Sequence, residues 1–306
     1  MKSAVVTGAT GMLGLALIRK LTKEDYNIYA VVRPNSARKS NIPEQDNVKI
    51  IECDLSGLKN LSSLIDEKCN LFFHFGWDGT YGASRNDMDA QVRNIQYTLD
   101  AVNAAHELGC QVFLGAGSQA EYGRREKKIT PQSPANPENG YGIAKLCAGQ
   151  MSRIMCESLG INHIWCRIFS VYGPYDGKQT MVISGIKQML DGKKPSYTKG
   201  EQLWDYLYCD DAANAFYLAA INGKSGSIYC IGSGKTKQLK EYIEAIRDTV
   251  NPELEIGIGD IPYAEKQVMY LCADISSLTD DTGFVPQYSF EDGIKETVDW
   301  CRKNHI

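Results

Sequence analysis

Tyr141 and Lys145 stand four residues apart in "NGYGIAKLCAG" (139–149). On a helix that spacing sets both side chains on one face. A tyrosine hydroxyl titrates near ~10 in model peptides, too high for efficient proton exchange at neutral pH unless something favours its phenolate. An ammonium one turn away does so electrostatically. An incidental pair on an ordinary helix has the same spacing, so the chemistry needs further partners. Ser118 in "GAGSQAEYG" is one candidate: it ends an apolar run, where its hydroxyl can donate to a substrate oxygen and steer the tyrosine proton. A serine there is also a common cap.

A proton donor of this kind serves hydride chemistry, and the start of the chain offers a place for the carrier. "VVTGATGMLG" sets Gly8, Gly11 and Gly14 directly after a strand-like run and directly before a helical one, with Thr10, Met12 and Leu13 between. A diphosphate needs free N–H groups at a helix start with no Cβ in the way, and this order supplies them; a tight turn with close helix packing is the alternative. At the end of the second apolar run, "AVVRPNSARKS", Arg33 stands where NAD binders carry an acid, with Asn35, Ser36 and Arg38 following and no carboxylate before Glu44. A guanidinium there suits the 2′-phosphate of NADP, which is therefore the preferred cofactor, with NAD possible.

Strand-like runs alternate with helical periods through the first 170 or so residues: "SAVVTG", "IYAVVR", "VKIIECD", "NLFFHFG", "CQVFLGAGS" and "HIWCRIFSVYG". The helical segments include "GMLGLALIRKLTK", a long one through 87–109, and one from Tyr141 to Leu159. Continuous apolar strands interleaved with helices indicate an α/β fold, a parallel sheet covered on both faces. Beyond Gly173 the pattern loosens, with Pro and Gly at "YGPYDG" and "DGKKPS" and helices near 181–190, 239–250 and 289–304. That predicts a smaller lobe against the strand ends, with "DYLYCDD" and "SIYCIG" returning to the sheet.

The 306 residues are 43% hydrophobic and 23% charged, which places them in the globular range. A net charge of −4, with no basic run longer than "GRREKK", argues against nucleic acid or an anionic membrane as partner. The N-terminus turns glycine-rich within eight residues and no apolar run is long enough to span a bilayer, so a cytoplasmic protein is expected. The ten cysteines are scattered without a CxxC pair, and reduced core thiols with no metal site are the reading.

With TGxxGxxG at 7–14 and YxxxK at 141–145, the chain resembles the extended short-chain dehydrogenase/reductases, the NAD(P)-dependent nucleotide-sugar epimerase/dehydratase/reductase group. The likeness runs through "ECDL" (Asp54, Leu55), "HFGW" (Phe75, Gly76, Trp77), "GSQAEYG" and "RIFSVYGP" (Ile168, Ser170). It implies a Rossmann-type doubly wound parallel sheet formed by 1–172 and about 203–232, and a substrate-binding lobe formed by about 173–202 and 233–306. Ser118, Tyr141 and Lys145 would be catalytic, and Lys145 would also reach the cofactor ribose. Asp54 would meet the adenine end. Asn94 would support a water relay or serve as a buried polar helix residue. The loop 76–87 would cover the sugar, with Trp77, Thr80 and Tyr81 as contacts beside Gln119.

The family's dehydratases follow the catalytic Ser/Thr with Asp-Glu, where this chain has Gln119 and Ala120. Relatives often hold a substrate phosphate with an Arg where this chain has Trp204, so Lys178, Thr180 or Lys199 would substitute, and Trp204 would stack on the base or fill the core. The resulting expectation is an NADPH-dependent reductase of the C4 ketone of a nucleotide-linked 4-keto-6-deoxyhexose. A 4-epimerase or 4-dehydrogenase is the alternative, and a non-catalytic dinucleotide sensor a third reading. The resemblance also implies a homodimer through a four-helix bundle.

Overall fold

The computed structural model describes residues 2–305. Apolar runs with no polar alternation can form strands only where both faces are covered, and β1 (Ser3–Thr7), buried at every position, is the first of these. After it come α1 (Met12–Lys23), β2 (Asn27–Val32), β3 (Val48–Glu52), β4 (Leu71–His74), α2 (Met88–Glu107), β5 (Val112–Ser118), α3 (Gly140–Leu159) and β6 (Asn162–Ile168). The second half is more broken: β7 (Ser170–Tyr172), α4 (Met181–Leu190), β8 (Ser196–Tyr197), β9 (Leu203–Trp204), β10 (Tyr206–Tyr208) and α5 (Cys209–Asn222). It ends with β11 (Ser227–Ile231), β12 (Lys237–Gln238), α6 (Leu239–Val250), β13 (Gly257–Ile258), α7 (Ser276–Thr282) and α8 (Phe290–Lys303).

Seven strands form one parallel sheet in the order β11-β6-β5-β4-β1-β2-β3. The chain builds outward from β1 in one direction, then restarts at β4 and builds in the other. A crevice opens at the carboxyl ends of strands where the order reverses, here between β1 and β4. Core fills both faces: Leu15, Leu17, Ile18, Phe73 and Phe216 lie on one, and Leu58, Leu61, Phe72, Val102 and Phe113 on the other.

One expected strand lies elsewhere. The pattern predicts that "DYLYCDD" and "SIYCIG" both rejoin the sheet, and only the latter does, as β11 beside β6. β10 pairs with β7 in a separate two-stranded unit. Its three residues run directly into α5, whose alanine-rich "CDDAANAFYLAAIN" buries Ala212, Ala213, Ala215 and Ala219. The cysteines are free thiols, and all but Cys147 are buried.

Two histidines enter the core uncharged. His74 pairs with the Thr7 and Thr98 hydroxyls at 2.9 and 3.4 Å, and His163 with Ser152 Oγ at 2.9 Å. Burial holds their pKa values down to about 3 and about 4, from an ordinary 6.5, with Lys145 adding to the effect at His74 and Arg153 at His163. The unfolded chain therefore takes up protons that the native one refuses, so stability is full above about 6.5 and is lost as pH falls toward 4 and 3. Moving from pH 7 to pH 5 should cost about 2 kcal/mol per histidine, read as a lower urea midpoint at constant m. An unchanged midpoint would mean that neither imidazole is buried neutral.

Candidate active site

The crevice starts with a hydroxyl that ties two strand ends together. Thr7 Oγ1 accepts from the N–H groups of Phe75 and Gly76, each at 3.1 Å. The chain then turns at Gly8, with φ of +67°, where a Cβ would lie 2.8 Å from the Gly76 nitrogen. At Gly14 a Cβ would lie 2.4 Å from the Gly8 oxygen, so only glycine lets α1 start this close to the loop. Gly11 is the N-cap of α1, no side chain caps that end, and its first turn carries no acid. The helix thus presents open N–H groups into a glycine-lined cradle, with Thr10, Met12 and Leu13 half-buried beside it, and these residues fit a dinucleotide diphosphate.

Arg33 is the first residue past β2 and is exposed. Asp54 follows β3 and caps the 3-10 helix Leu55–Leu64, accepting from Gly57 N–H at 3.0 Å and Ser56 Oγ at 2.7 Å. Leu55 packs under the loop, 2.7 Å from where a Gly76 Cβ would stand.

Across the crevice, Ser118 ends β5 and begins a short turn, Gln119–Glu121. Its hydroxyl accepts from Ala120 N–H at 3.1 Å while Glu121 accepts from Ser118 N–H at 2.8 Å, a reciprocal capping box. Asn139 caps α3 by accepting from Gly142 N–H at 2.9 Å. A Cβ on Gly142 would sit 2.4 Å from the Ala120 oxygen, and this close approach brings Tyr141 to Ser118. Burial raises the Tyr141 pKa, and a hydrogen bond with Ser118 and the charge of Arg85 work against that rise.

Lys145 is 4% exposed, and burial lowers its pKa to about 7 against the opposing pull of Glu121. Its Nζ donates to the Ala116 carbonyl at 2.6 Å and lies 3.7 Å from the centre of the Trp77 ring. The sequence pattern cast Lys145 as the cation against the tyrosine. Its ammonium is 5.8 Å from the Tyr141 ring centre, and the Arg85 guanidinium is closer, at 4.6 Å. The i,i+4 spacing shares a face, as expected, but the Ala116 carbonyl draws the lysine inward.

Glu121 was not singled out from the sequence, although S-x-x-E is a capping-box signature. It is fully buried and also accepts from Trp165 Nε1 at 3.0 Å and Arg167 Nε at 2.6 Å. Gly115, Gly117 and Gly149 make room for the Trp165 ring, since a Cβ on any of them would come within 2.6 Å of it.

The expected substrate contacts divide. Trp77 donates to Gln91 at 2.9 Å, and Gln91 in turn donates to the Gly79 and Ser84 carbonyls, so loop 76–87 is fastened to α2. Asn94 is 1% exposed and its amide brackets Asp78 N–H and C=O at 2.9 and 2.8 Å, which fastens the loop to α2 as a buried polar helix residue does. Tyr81, 58% exposed, reaches toward Gly177, and Thr80 and Gln119 are half-buried near it in the chain and across the crevice. Thr180 is spent on capping α4, and Lys178 and Lys199 are exposed. Trp204 donates to Ser170 Oγ at 2.7 Å and packs on the core, so its indole N–H is engaged within the fold; Ile168 pairs with Ser118 in register.

Among the described residues no helix is long and apolar enough to cross a membrane. Mouse dTDP-D-glucose 4,6-dehydratase is 28% identical over 330 residues, spanning 99% of this chain and 89% of that protein. The Escherichia coli dTDP-glucose 4,6-dehydratase is 30% identical over 188 residues, 58% of this chain and 50% of its own. In fold, the UDP-glucose 4-epimerase of Thermotoga maritima with UDP-glucose superposes at a TM-score of 0.88 with 22% identity, covering 99% of this chain and 100% of that one. The Bacillus anthracis dTDP-glucose 4,6-dehydratase in complex with NAD gives 0.86 with 20% identity, covering 100% and 98%. The model of the NAD dependent epimerase/dehydratase family matches residues 4–232, and the chain belongs to that family.

Proposed function

We propose that the protein is an oxidoreductase of nucleotide sugars that reduces the C4 ketone of a nucleotide-linked 4-keto-6-deoxyhexose. The observation that carries this is the meeting of Ser118, Tyr141 and Lys145 at the crevice whose other wall is the uncapped glycine cradle of α1. When bound, a nicotinamide dinucleotide supplies a hydride to the ketone carbon. Tyr141 gives its hydroxyl proton to the oxygen that becomes an alkoxide, and Ser118 donates a hydrogen bond that orients that oxygen. Lys145, tied to Ala116, would use its remaining N–H groups to hold the cofactor ribose. The tyrosine proton is then replaced from solvent, so one hydride and one proton are consumed per ketone.

Elimination of water needs an acid and a base facing the sugar, and the segment after Ser118 lacks them. Gln119 and Ala120 stand there, and the acid of that turn, Glu121, faces inward to Arg167. This argues against a 4,6-dehydratase despite the names of the sequence relatives. The second reading, a 4-epimerase or 4-dehydrogenase, uses the same residues and needs no acid and base after Ser118, as Gln119 and Ala120 supply none. The test is to mix the protein with NADPH or NADH and a panel of nucleotide-linked 4-keto-6-deoxy sugars and follow the reduced-nicotinamide absorbance. Oxidation is expected; none with any sugar, together with exchange of 4-epimers, would replace the first reading by the second.

For the cofactor, NADPH over NADH rests on Arg33 alone, whereas the dehydratase structure named above holds NAD. Arg33→Asp should turn the preference toward NADH in paired kcat/KM measurements; an unaltered ratio would remove Arg33 from the 2′-phosphate site.

A homodimer through α2 and α3 completes the proposal. These helices leave Met88, Val92, Ile143, Met151 and Ile154 between 43 and 64% exposed, an apolar surface of the kind that a second copy covers. Light scattering should give twice the chain mass, and a monomer at micromolar concentration would rule this out.

A further inference from the structure

The loop 82–86 carries a cation that neither the sequence pattern nor the family likeness singles out. Arg85 is half-buried, and its guanidinium carbon lies 4.6 Å from the centre of the Tyr141 ring. The backbone that presents it is held on both sides. Asn86 Oδ1 accepts from Gly140 N–H at 3.0 Å, at the start of the helix that bears Tyr141. Gln91 holds the Ser84 carbonyl at 3.1 Å, and Asp87 caps α2 through Ala90 N–H at 3.1 Å. A Cβ on Gly140 would stand 3.1 Å from the Arg85 carbonyl, so the loop and α3 are in close contact here.

We propose that Arg85 is a positioning residue for Tyr141: its guanidinium, laid on the phenol ring, stabilises the negative charge that ring acquires as it gives up its proton. This rests on the reading of Tyr141 as proton donor. A cation over an aromatic face is already attracted to the neutral ring and is attracted more strongly once the ring is a phenolate.

The other groups facing Tyr141 do not supply this. Lys145, on its own helix, is 5.8 Å from the ring centre and is committed to Ala116 and Trp77. Trp77 meets the ring edge-on at 6.1 Å and carries no charge. Glu121 behind Ser118 and Tyr81 in the covering loop both oppose ionisation, and Ser118 favours it through a single hydrogen bond. Arg85 is therefore the nearer of the two positive charges at the ring, and removing it leaves burial, Glu121 and Tyr81 opposed by Ser118 and the more distant Lys145.

The test compares Arg85→Gln and Arg85→Lys with the unaltered protein. Phenolate absorbance is titrated and Tyr141→Phe is subtracted, which isolates one tyrosine from the 17 present. The Tyr141 transition should move to higher pH in Arg85→Gln and return toward its original position in Arg85→Lys. The alkaline limb of the kcat/KM profile should move the same way, with a loss of about 3- to 30-fold at neutral pH, the range of a cation–ring contact at this depth. A transition at one and the same pH in all three proteins, each folded by circular dichroism, would overturn the proposal. Because the titration needs no substrate, it answers for Arg85 even if Tyr141→Phe keeps full turnover, an outcome that would instead refute the proton-donor reading.

Discussion

Tyr141→Phe should lower turnover by ~10²- to 10⁴-fold, the contribution of a positioned acid, while dinucleotide affinity stays within a few-fold. The substitution keeps the ring, and so keeps its contacts with the Arg85 guanidinium at 4.6 Å and the Trp77 edge at 6.1 Å. The start of α3 is fixed independently by the Asn139 cap and by the approach of Gly142 to Ala120. Only the hydroxyl is lost, and with it the interaction with Ser118 and, on the proposed reading, the proton for the alkoxide. Steady-state kinetics paired with a fluorescence titration of the dinucleotide separate the two effects. A near-normal rate would take the acid role from Tyr141, and a large loss of affinity would show that the ring position, not the proton, had changed.

The second large effect is on stability. Arg167 is 3% exposed and Glu121 fully buried, and the pair sits directly behind Ser118. Arg167→Leu removes the guanidinium from the carboxylate and from the Tyr122 ring that it covers at 4.3 Å. An uncompensated buried charge costs about 3–5 kcal/mol, because desolvation of the carboxylate is no longer balanced by an ion pair. The Glu121 contacts with Ser118 N–H and Trp165 Nε1 remain and soften this only in part. Urea denaturation of Arg167→Leu should show that loss, and adding Glu121→Gln should recover part of it by taking the charge away. A single-variant loss below about 1 kcal/mol, or a double variant weaker than the single, would contradict a charged pair at this place.

Local features carried most of the frame. The order of Gly8, Gly11 and Gly14 is a short-range requirement on backbone approach, and the Cβ clashes at Gly8 and Gly14 are its physical content. Helices α4, α6 and α8 lie within a residue of where their periodicity put them, since each buries one stripe and leaves the other wet. Contacts decided far along the chain were not legible. Trp165 and Arg167 share a strand face because side chains alternate, yet that both meet Glu121, 44 and 46 residues away, follows from β5 and β6 lying side by side. Trp204 offered two readings, and a bond to Ser170, 34 residues distant, ties it into the fold. Lys145 was placed on the right face, but the carbonyl of Ala116 that captures it belongs to another strand. Arg85 reads as an ordinary surface residue until Gln91 and Asn86 fix the loop that carries it.

The central claim is that a hydride passes from the nicotinamide to a sugar carbon while Tyr141 supplies the proton. The most direct measurement uses reduced dinucleotide deuterated at the transferring carbon, with a nucleotide-linked 4-keto-6-deoxyhexose, and mass spectrometry of the nucleotide sugar formed. The account predicts a product carrying one deuterium at C4 from the unaltered protein and almost none formed by Tyr141→Phe. A product free of deuterium, or equal labelled product from both proteins, would contradict it.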